Sequence, residues 1–390
     1  MGKFFVVVTL IAGAVIAGVV LSVAGSADDS TEVTADAVWD SSALSLDHSG
    51  YARAIEPYDW RFPDDYGPHP EFQTEWWYYT GNLAADDGRR FGYQFTVFRR
   101  AIAPSEPESN SEWRSNQVYM AHLTLTDVEA DRFHQAQRLS RPGPDLAGAA
   151  ADPVYRVWLQ DWRVEALNED ATRTAITAAT DGFALDLVLD QVKPPALQGD
   201  GGLSPKSGEP GNASYYYSLS RLVTEGTITV GGADYAVSGA SWMDHEFSTS
   251  ALGHNAQGWD WFGLHLDDNR ELMLGQIRLI EGGVEPVFGG LLIQPDGSTR
   301  KLASEDLTIT ATETWTSPHT GAPYPAGWQI MIDIGEPEPL DLTLTPLLAD
   351  QELTEGGMVY WEGAVRITGG ATGYGYAELT GYSGTMRSRF

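Results

Sequence analysis

Residues 90–98, RFGYQFTVF, place a large apolar side chain at every second position, with small or polar residues between them. Residues 117–125, QVYMAHLTL, repeat the alternation. This period of two, carried by aromatic and β-branched residues, is typical of strands. Similar segments occur at residues 155–159, 183–189, 226–230, 259–266, 271–279, 307–311, 327–334 and 340–346. Turn signals such as Asp87-Gly88 separate them, and together they predict an all-β sandwich or barrel.

The length of 390 residues predicts two domains, since a domain holds ~150 residues on average. We place an N-terminal β-barrel domain at 59–250 and a C-terminal one at 251–390. Closed barrels leave no exposed strand edge, and about eight strands leave room for one ligand. Residues 193–214, rich in Pro, Gly and Ser, are expected to form a long structureless loop that could act as a lid.

The N-terminal residues are predicted to be an export signal. Lys3 precedes an apolar run over residues 4–25, and small residues follow up to Ala27. Residues 1–27 are therefore either a cleaved signal peptide or a retained membrane anchor. Residues 28–58 are polar and are predicted to be a tether. Both alternatives place the body of the chain in the periplasm or outside the cell, and the second anchors it to the inner membrane.

The charge balance restricts the partners. The chain has 54 acidic and 24 basic residues, for a net charge of -30. Such a surface repels phosphates, so nucleic acid is excluded as a partner. Salt would screen the self-repulsion, which suggests a saline habitat, although an acidic exported protein is the simpler alternative. Cysteine is absent, which excludes disulfides, thiolate metal sites and a cysteine nucleophile.

Residues 69–83, HPEFQTEWWYYTGNL, concentrate aromatic side chains around one acid. Strand alternation divides them into two faces, with Glu75, Trp77 and Tyr79 on one and Trp76, Tyr78 and Thr80 on the other. These aromatics could form the wall of an apolar ligand site, or they could fill a barrel core. A carboxylate that faces an aromatic interior must be paired or have a raised pKa, so Glu75 is a candidate site residue.

Residues 241–247, SWMDHEF, form a second cluster. On a strand, Trp242, Asp244 and Glu246 share one face and His245 lies on the other. A histidine between two acids could shuttle protons, or these groups could tie the two domains together by hydrogen bonds. No tight metal-ligand spacing occurs, so no metal is predicted. Residues 259–265, WDWFGLH, mix an acid and aromatics in the same way, whereas Glu362 and Glu378 are expected to close the second barrel.

The chain resembles the family that contains the carotenoid 1,2-hydratases (hydroxyneurosporene synthases) and the AttH-type proteins, often labelled predicted secreted hydrolases. The matching stretches are residues 71–83, 215–221, 239–247, 258–266, 360–365 and 373–382. The resemblance implies two consecutive lipocalin-like β-barrel domains, a ligand site near their junction and no cofactor. The hydratases' Asp-His-x-aromatic segment matches Asp244-His245-Glu246-Phe247, with Phe247 where a Trp is expected. Their second element, Tyr-x-Asp, has no clear match, which weakens the case for hydratase activity.

Three hypotheses follow. In the first, the chain is an exported binder of a lipid or terpenoid, with or without a role as an accessory component that works with an ABC transporter permease. Alternatively, it is a cofactor-independent hydratase or hydrolase with Asp244, His245 and Glu75 as acid–base residues. A third alternative is a surface-interaction protein whose aromatics are only core. The candidate ligand-binding residues are Trp76, Trp77, Tyr79, Trp242, Phe247, Trp259 and Trp261.

Overall fold

The computed structural model describes residues 48–106, 108–250, 252–356 and 358–384. The predicted signal peptide or anchor (1–27) and residues 28–47 of the predicted tether lie outside the described residues. In the part of the chain that is described, no helix is long and apolar enough to span a membrane.

The described chain is built of strands, with short 3-10 helices at Asp64–Tyr66 and Ser304–Asp306. The strands of the first half are β1 Thr74–Ala85, β2 Arg90–Ala101, β3 Gln117–Asp127, β4 Arg132–Ser140, β5 Ala147–Ala150, β6 Arg156–Leu159, β7 Trp162–Ala166, β8 Arg173–Ala179, β9 Phe183–Gln191, β10 Ala196–Leu197, β11 Leu203–Pro205, β12 Ala213–Val230 and β13 Ala233–Ser250. Those of the second half are β14 Ala256–Leu266, β15 Glu271–Leu279, β16 Gly290–Ile293, β17 Thr299–Leu302, β18 Leu307–Ala311, β19 Thr314–Thr316, β20 Pro323–Pro325, β21 Trp328–Ile332, β22 Leu340–Pro346, β23 Glu352–Leu353, β24 Tyr360–Gly369 and β25 Gly373–Leu379.

These strands form two nearly closed, barrel-shaped sheets. The first has the order β4-β3-β2-β1-β13-β12-β9-β8-β7-β6-β5, with β10 and β11 paired to β12. The second has the order β17-β16-β15-β14-β25-β24-β22-β21-β18, with β23 paired to β24, and β19 and β20 form a small separate ribbon. The predicted all-β fold of two consecutive lipocalin-like barrels is confirmed.

The burial of the strands shows where the barrels meet. Outer strands such as β21 and β22 alternate between buried and exposed residues, because only one face is covered. In contrast, β1, β3 and β14 are buried along both faces. One face of these strands lies on the core of its own barrel and the other packs against the neighbouring barrel. The aromatic-rich stretches of the sequence are therefore the strands of the junction.

Two segments differ from their predicted roles. Residues 193–214 are not a structureless loop: β10 and β11 pair with β12, and Lys193 donates to Glu271 of the second sheet at 2.6 Å. The prediction is wrong there because backbone pairing and a buried ion pair outweigh the Gly and Pro content. Residues 52–58, assigned to the tether, lie against the first barrel, since Ala54 is fully buried and the Tyr58 ring packs on Phe247.

Candidate functional site

Strands β1 and β13 form the centre of the site. They pair antiparallel, with Trp77 opposite His245 and Tyr78 opposite Asp244. Because side chains alternate along a strand, the two strands send one set of residues into the first barrel and another toward the second barrel. The first set forms a buried charged cluster, and the second forms the wall of a cavity. We call these the inner cluster and the junction cavity.

The inner cluster consists of Glu75, Arg99, His69 and His245, all buried in the first barrel. The Arg99 guanidinium donates to Glu75 Oε2 at 2.8 Å through Nε. Glu75 Oε1 lies 2.9 Å from His69 Nδ1 and 2.8 Å from His245 Nε2. The backbone N–H of His69 donates to the same carboxylate at 3.0 Å. Glu75 is thus a paired carboxylate, one of the two alternatives that the sequence left open.

The pKa directions follow from these contacts. Burial alone would raise the pKa of Glu75, but Arg99, His245 and His69 hold it well below its usual value. Burial lowers the pKa of His69, but the hydrogen bonds that its ring donates to Asp65 and Glu75 outweigh this effect and raise the pKa to about 9. Burial also lowers the pKa of His245, more than Glu75 raises it. Arg99 and the charged His69 are therefore balanced by Glu75 and by the neighbouring Asp65, which lies 3.3 Å from His69 Nε2, and His245 is a neutral imidazole.

The same trio has the geometry to accept a cation. Ligand atoms of His69, Glu75 and His245 lie within 4.8 Å of one another. The Arg99 guanidinium already occupies the second carboxylate oxygen, and its positive charge opposes a metal ion at this place. The hydrogen bonds of the trio satisfy these groups without an ion, so we assign the inner cluster a structural role in the first barrel.

The junction cavity lies between the two barrels and encloses about 780 Å³ of empty space, counting the part that is open to solvent. Its wall is mostly aromatic and apolar, with four acids and one lysine. The lining residues are Trp76, Tyr78, Phe98, Lys206, Tyr216, Asp244, Glu246, Leu252, Trp259, Trp261, Ile277, Phe288, Tyr360, Glu362 and Glu378. These residues come from both barrels, so the cavity exists only where the two sheets meet.

Asp244 is a buried acid of the first barrel that lines the cavity. Its Oδ1 accepts from Ser218 Oγ at 2.5 Å and from the Trp242 indole at 2.7 Å. Its Oδ2 accepts from the Tyr216 hydroxyl at 2.6 Å, and this hydroxyl accepts from the Trp261 indole at 3.1 Å. Burial raises the pKa of Asp244 to about 7 despite these donors. Asp244 can therefore give or take a proton near neutral pH.

The second barrel contributes Glu362 and Glu378, which lie opposite each other on β24 and β25. Glu362 Oε2 accepts from the Tyr78 hydroxyl at 3.0 Å, across the junction. Burial raises the pKa of Glu378 to about 8, although the Trp259 side chain hydrogen-bonds it. Burial, reinforced by the charge of Glu378, raises the pKa of Glu362 well above its usual value. Both groups are held in their neutral form at neutral pH.

One edge of the cavity is closed by an ion pair. Lys206 Nζ donates to Glu246 Oε2 at 2.9 Å, and both side chains are almost fully buried. The ammonium group also lies 4.9 Å from the Tyr216 ring centroid and 4.5 Å from that of Phe288. Lys206 follows β11, the segment predicted to be loop, so this segment forms part of the wall. The pair leaves no net charge at this edge.

The structure separates the predicted site residues into two groups. Of the three candidate acid–base residues, Asp244 lines the cavity, whereas Glu75 and His245 lie together in the inner cluster. Of the candidate ligand-binding residues, Trp76, Trp259 and Trp261 line the cavity, and Trp242 supports it through Asp244. The others lie on the opposite face, inside the first barrel: Trp77 and Tyr79 in its core, and Phe247 stacked on His69 at 3.6 Å.

Several residues of both sites were either missed in the sequence or assigned another role. Arg99 could have been found, because the turn that contains Gly88 sets a register that pairs Glu75 with Arg99 across β1 and β2. Glu362 and Glu378 were assigned to the closure of the second barrel, whereas the structure places them on the cavity wall. Tyr216 and Lys206 carried no local signal, because their neighbours are distant in the chain.

Two barrels joined around an aromatic, acid-lined cavity define a lipocalin-like two-barrel protein. The AttH-like family model matches residues 53–382, and the chain belongs to this family. This confirms the resemblance seen in the sequence.

Solved structures agree with this assignment. The crystal structure of an AttH protein from Nitrosomonas europaea superposes with a TM-score of 0.75 at 33% identity, covering 85% of this chain and 99% of that one. Kievitone hydratase from Nectria haematococca gives 0.62 at 17% identity over 85% and 99% of the two chains. CghA with Sch210972 gives 0.51 at 13% identity over 87% and 98%. The last two show a shared fold. None of the curated proteins matches the sequence.

Proposed function

We propose that the protein binds a small apolar molecule in the junction cavity. The observation that carries this proposal is the row of aromatic rings that both barrels contribute to one wall. Tyr78 and Trp261 contact edge to face across the junction, with ring centroids 5.3 Å apart. Trp76 and Trp259 flank them and keep part of their surface accessible. Aromatic walls with a few fixed polar groups are typical of small-molecule sites.

The largely aromatic and apolar lining of the cavity suits an uncharged small molecule. The test is native mass spectrometry of the full chain purified from its own host, followed by solvent extraction. We expect one apolar molecule per chain. A protein that is empty, and stays empty with a panel of lipids and polyenes, would contradict the proposal.

A second candidate function is cofactor-independent hydration of a carbon–carbon double bond. The observation that favours it is the pair of acids Asp244 and Glu378, which line one apolar cavity with pKa values raised to about 7 and about 8. A carrier does not need acids that titrate near neutral pH, whereas an acid–base enzyme does. Kievitone hydratase is a hydratase on the same fold.

The chemistry requires one protonated and one ionised carboxyl group. The acid, Glu378, transfers its proton to one alkene carbon and forms the new C–H bond, which leaves a carbocation on the other. A water oxygen adds to this cation, and Asp244 as carboxylate takes the proton that the water loses. The product is an alcohol, and proton exchange with solvent restores both groups. The surrounding aromatic rings would stabilise the cation.

Hydration is tested by incubating the co-purified ligand with the protein in water enriched in ¹⁸O. We expect one label per product molecule. Asp244→Asn and Glu378→Gln should each lower the rate by about 10²–10⁴-fold, the usual contribution of a general acid or base. The control is Glu281→Gln, which changes an exposed acid outside the junction cavity. Unlabelled, unchanged ligand would favour carriage over catalysis.

We further propose that the protein is exported and that its partner is an ABC permease. The apolar run at residues 4–25 supports export. The partner is supported by the poor solubility of an apolar ligand in water, which requires a carrier between membranes. Cell fractionation with intact-mass analysis tests both forms of the N-terminus. A chain lacking about the first 27 residues in the periplasm supports cleavage, and a full-length chain in the membrane fraction supports an anchor. A full-length chain in the cytoplasm would contradict export. Co-purification of a permease from detergent-solubilised membranes tests the partner.

A further inference from the structure

We infer that the junction cavity selects uncharged apolar molecules that carry a hydrogen-bond acceptor oxygen, such as a ketone, and that Glu362 donates the hydrogen bond that recognises it. This inference rests on the proposed function of binding an apolar molecule, and it specifies the chemical class of that molecule. It also assigns a binding role to an acid that the sequence alone placed in the closure of the second barrel.

The first step is the protonation state of Glu362. The side chain is fully buried, and its one described hydrogen-bond partner is the neutral Tyr78 hydroxyl. No cation pairs with it in the described part of the chain, and another acid, Glu378, lies directly opposite on the neighbouring strand. A buried carboxylate without a counter-charge is costly, so Glu362 is a neutral carboxylic acid.

The second step is the position of its proton. Tyr78 donates to Oε2, so this oxygen is the acceptor of the pair. The acid proton then belongs on Oε1, a buried atom that makes no hydrogen bond with any described residue. Because Glu362 lines the junction cavity, a bound molecule is the natural acceptor for this donor. A buried donor without a partner is destabilising, which favours ligands that supply an acceptor.

The third step excludes charged ligands. The four acids of the wall supply no positive charge, so a ligand carboxylate would be buried there without a counter-charge. Lys206 is the lysine of the wall, and it is already paired with Glu246 at 2.9 Å. A ligand ammonium would require the acids to ionise in an apolar setting, which burial opposes. A neutral ligand that carries an oxygen can accept the hydrogen bond of Glu362 without placing an unpaired charge in the cavity.

The experiment uses four probes with one naphthalene skeleton, titrated into the full chain by calorimetry at neutral pH. They are 2-acetylnaphthalene, 2-ethylnaphthalene, 2-naphthoate and 1-(2-naphthyl)ethylammonium. We expect the ketone to bind about tenfold more tightly than the hydrocarbon, and the two ions to bind more weakly than the ketone. Glu362→Gln keeps a neutral donor and should preserve the ketone preference. Glu362→Met removes the donor and should abolish that preference while the hydrocarbon still binds.

The outcomes separate this inference from the proposed function. Equal binding of ketone and hydrocarbon, a ketone preference that persists in Glu362→Met, or strongest binding of the ammonium probe would each overturn the role of Glu362. In those cases the apolar cavity would still be a ligand site. If none of the four probes binds, the proposed function itself fails, and the inference fails with it.

Discussion

Single residues of the inner cluster should control stability rather than ligand binding. Glu75→Gln removes the charge that Arg99 and His69 share, and it leaves the Arg99 guanidinium buried without its partner. Breaking one side of a buried ion pair costs about 3–5 kcal/mol. We expect a loss of this size in the free energy of unfolding, measured by chemical denaturation.

The matched control is Glu165→Gln, which breaks an exposed pair with Arg163 at 3.7 Å. Surface pairs contribute about 1 kcal/mol or less, so this variant should behave almost as the wild type. Equal stability of the Glu75 and Glu165 variants would contradict the structural role of the inner cluster.

Loss of the charge on His69 should lower the free energy of unfolding at alkaline pH. Its pKa is raised from 6.5 to about 9, so the charged imidazole stabilises the fold fully below pH 6.5, and this contribution disappears as the pH rises through 9. The linked free energy is about 3 kcal/mol at most. The titratable and charged groups around this imidazole are Tyr58, Asp65, Glu71, Glu75, Arg99 and His245.

The measurement is urea unfolding at pH 6.5, 8 and 9.5 for the wild type and for His69→Gln. The difference between the two should shrink as the pH rises, and taking the difference cancels the contributions of Asp244 and Glu378, which titrate in the same range. A difference that stays constant over this range would show that His69 is not charged in the folded protein.

Two neighbouring residues of strand β1 should affect different properties: one should affect the stability of the fold, and the other should affect ligand binding. Trp77 is fully buried in the core of the first barrel, whereas Trp76 lines the junction cavity. Trp77→Ala should cost about 3–5 kcal/mol of unfolding free energy and leave the affinity of the folded protein unchanged. Trp76→Ala should cost about 1 kcal/mol and weaken ligand binding about tenfold.

This pair needs no further control, because each variant is the control of the other. Denaturation and titration with 2-acetylnaphthalene measure both quantities. Loss of affinity in Trp77→Ala with full affinity in Trp76→Ala would mean that the ligand binds inside the first barrel and not at the junction.

At the scale of the whole molecule, the two barrels are linked by a buried ionic contact. Glu271 of the second barrel accepts from Lys193 at 2.6 Å and also pairs with Arg221, both from the first barrel. Glu271→Gln leaves two cations without their counter-charge, so we expect a lower melting temperature and a calorimetric transition that splits into two. Asp268→Asn, a change at an exposed nearby acid, is the control and should leave one transition.

The net charge of -30 also acts on the whole molecule. Repulsion among exposed acids opposes the compact state, and salt screens it over about 10 Å at 0.1 M. We expect the melting temperature to rise between 0.05 and 1 M NaCl. A melting temperature that falls over this range would contradict the expectation of a saline habitat and would show that attractive ion pairs dominate.

The sequence by itself determined the strand content, the two-barrel fold and the composition of each strand face. Alternation alone placed Trp77 with Glu75 and Tyr79, and Asp244 with Trp242, because side chains of a strand point to opposite faces in turn. Alternation does not predict which barrel each face of a strand packs against. Nothing local in 241–247 indicated that His245 points into the first barrel and Asp244 toward the second.

Only the tertiary structure decided that Glu362 and Glu378 meet Asp244 and Tyr78 at one cavity. Both glutamates are more than a hundred positions from Asp244 and from Tyr78 in the chain, and β1 and β24 belong to different sheets. Their contact depends on how two closed barrels pack, which is a property of the assembled surfaces and not of any segment. The protonation of these acids follows from the same packing, since it is burial at the junction that makes their charged forms unfavourable.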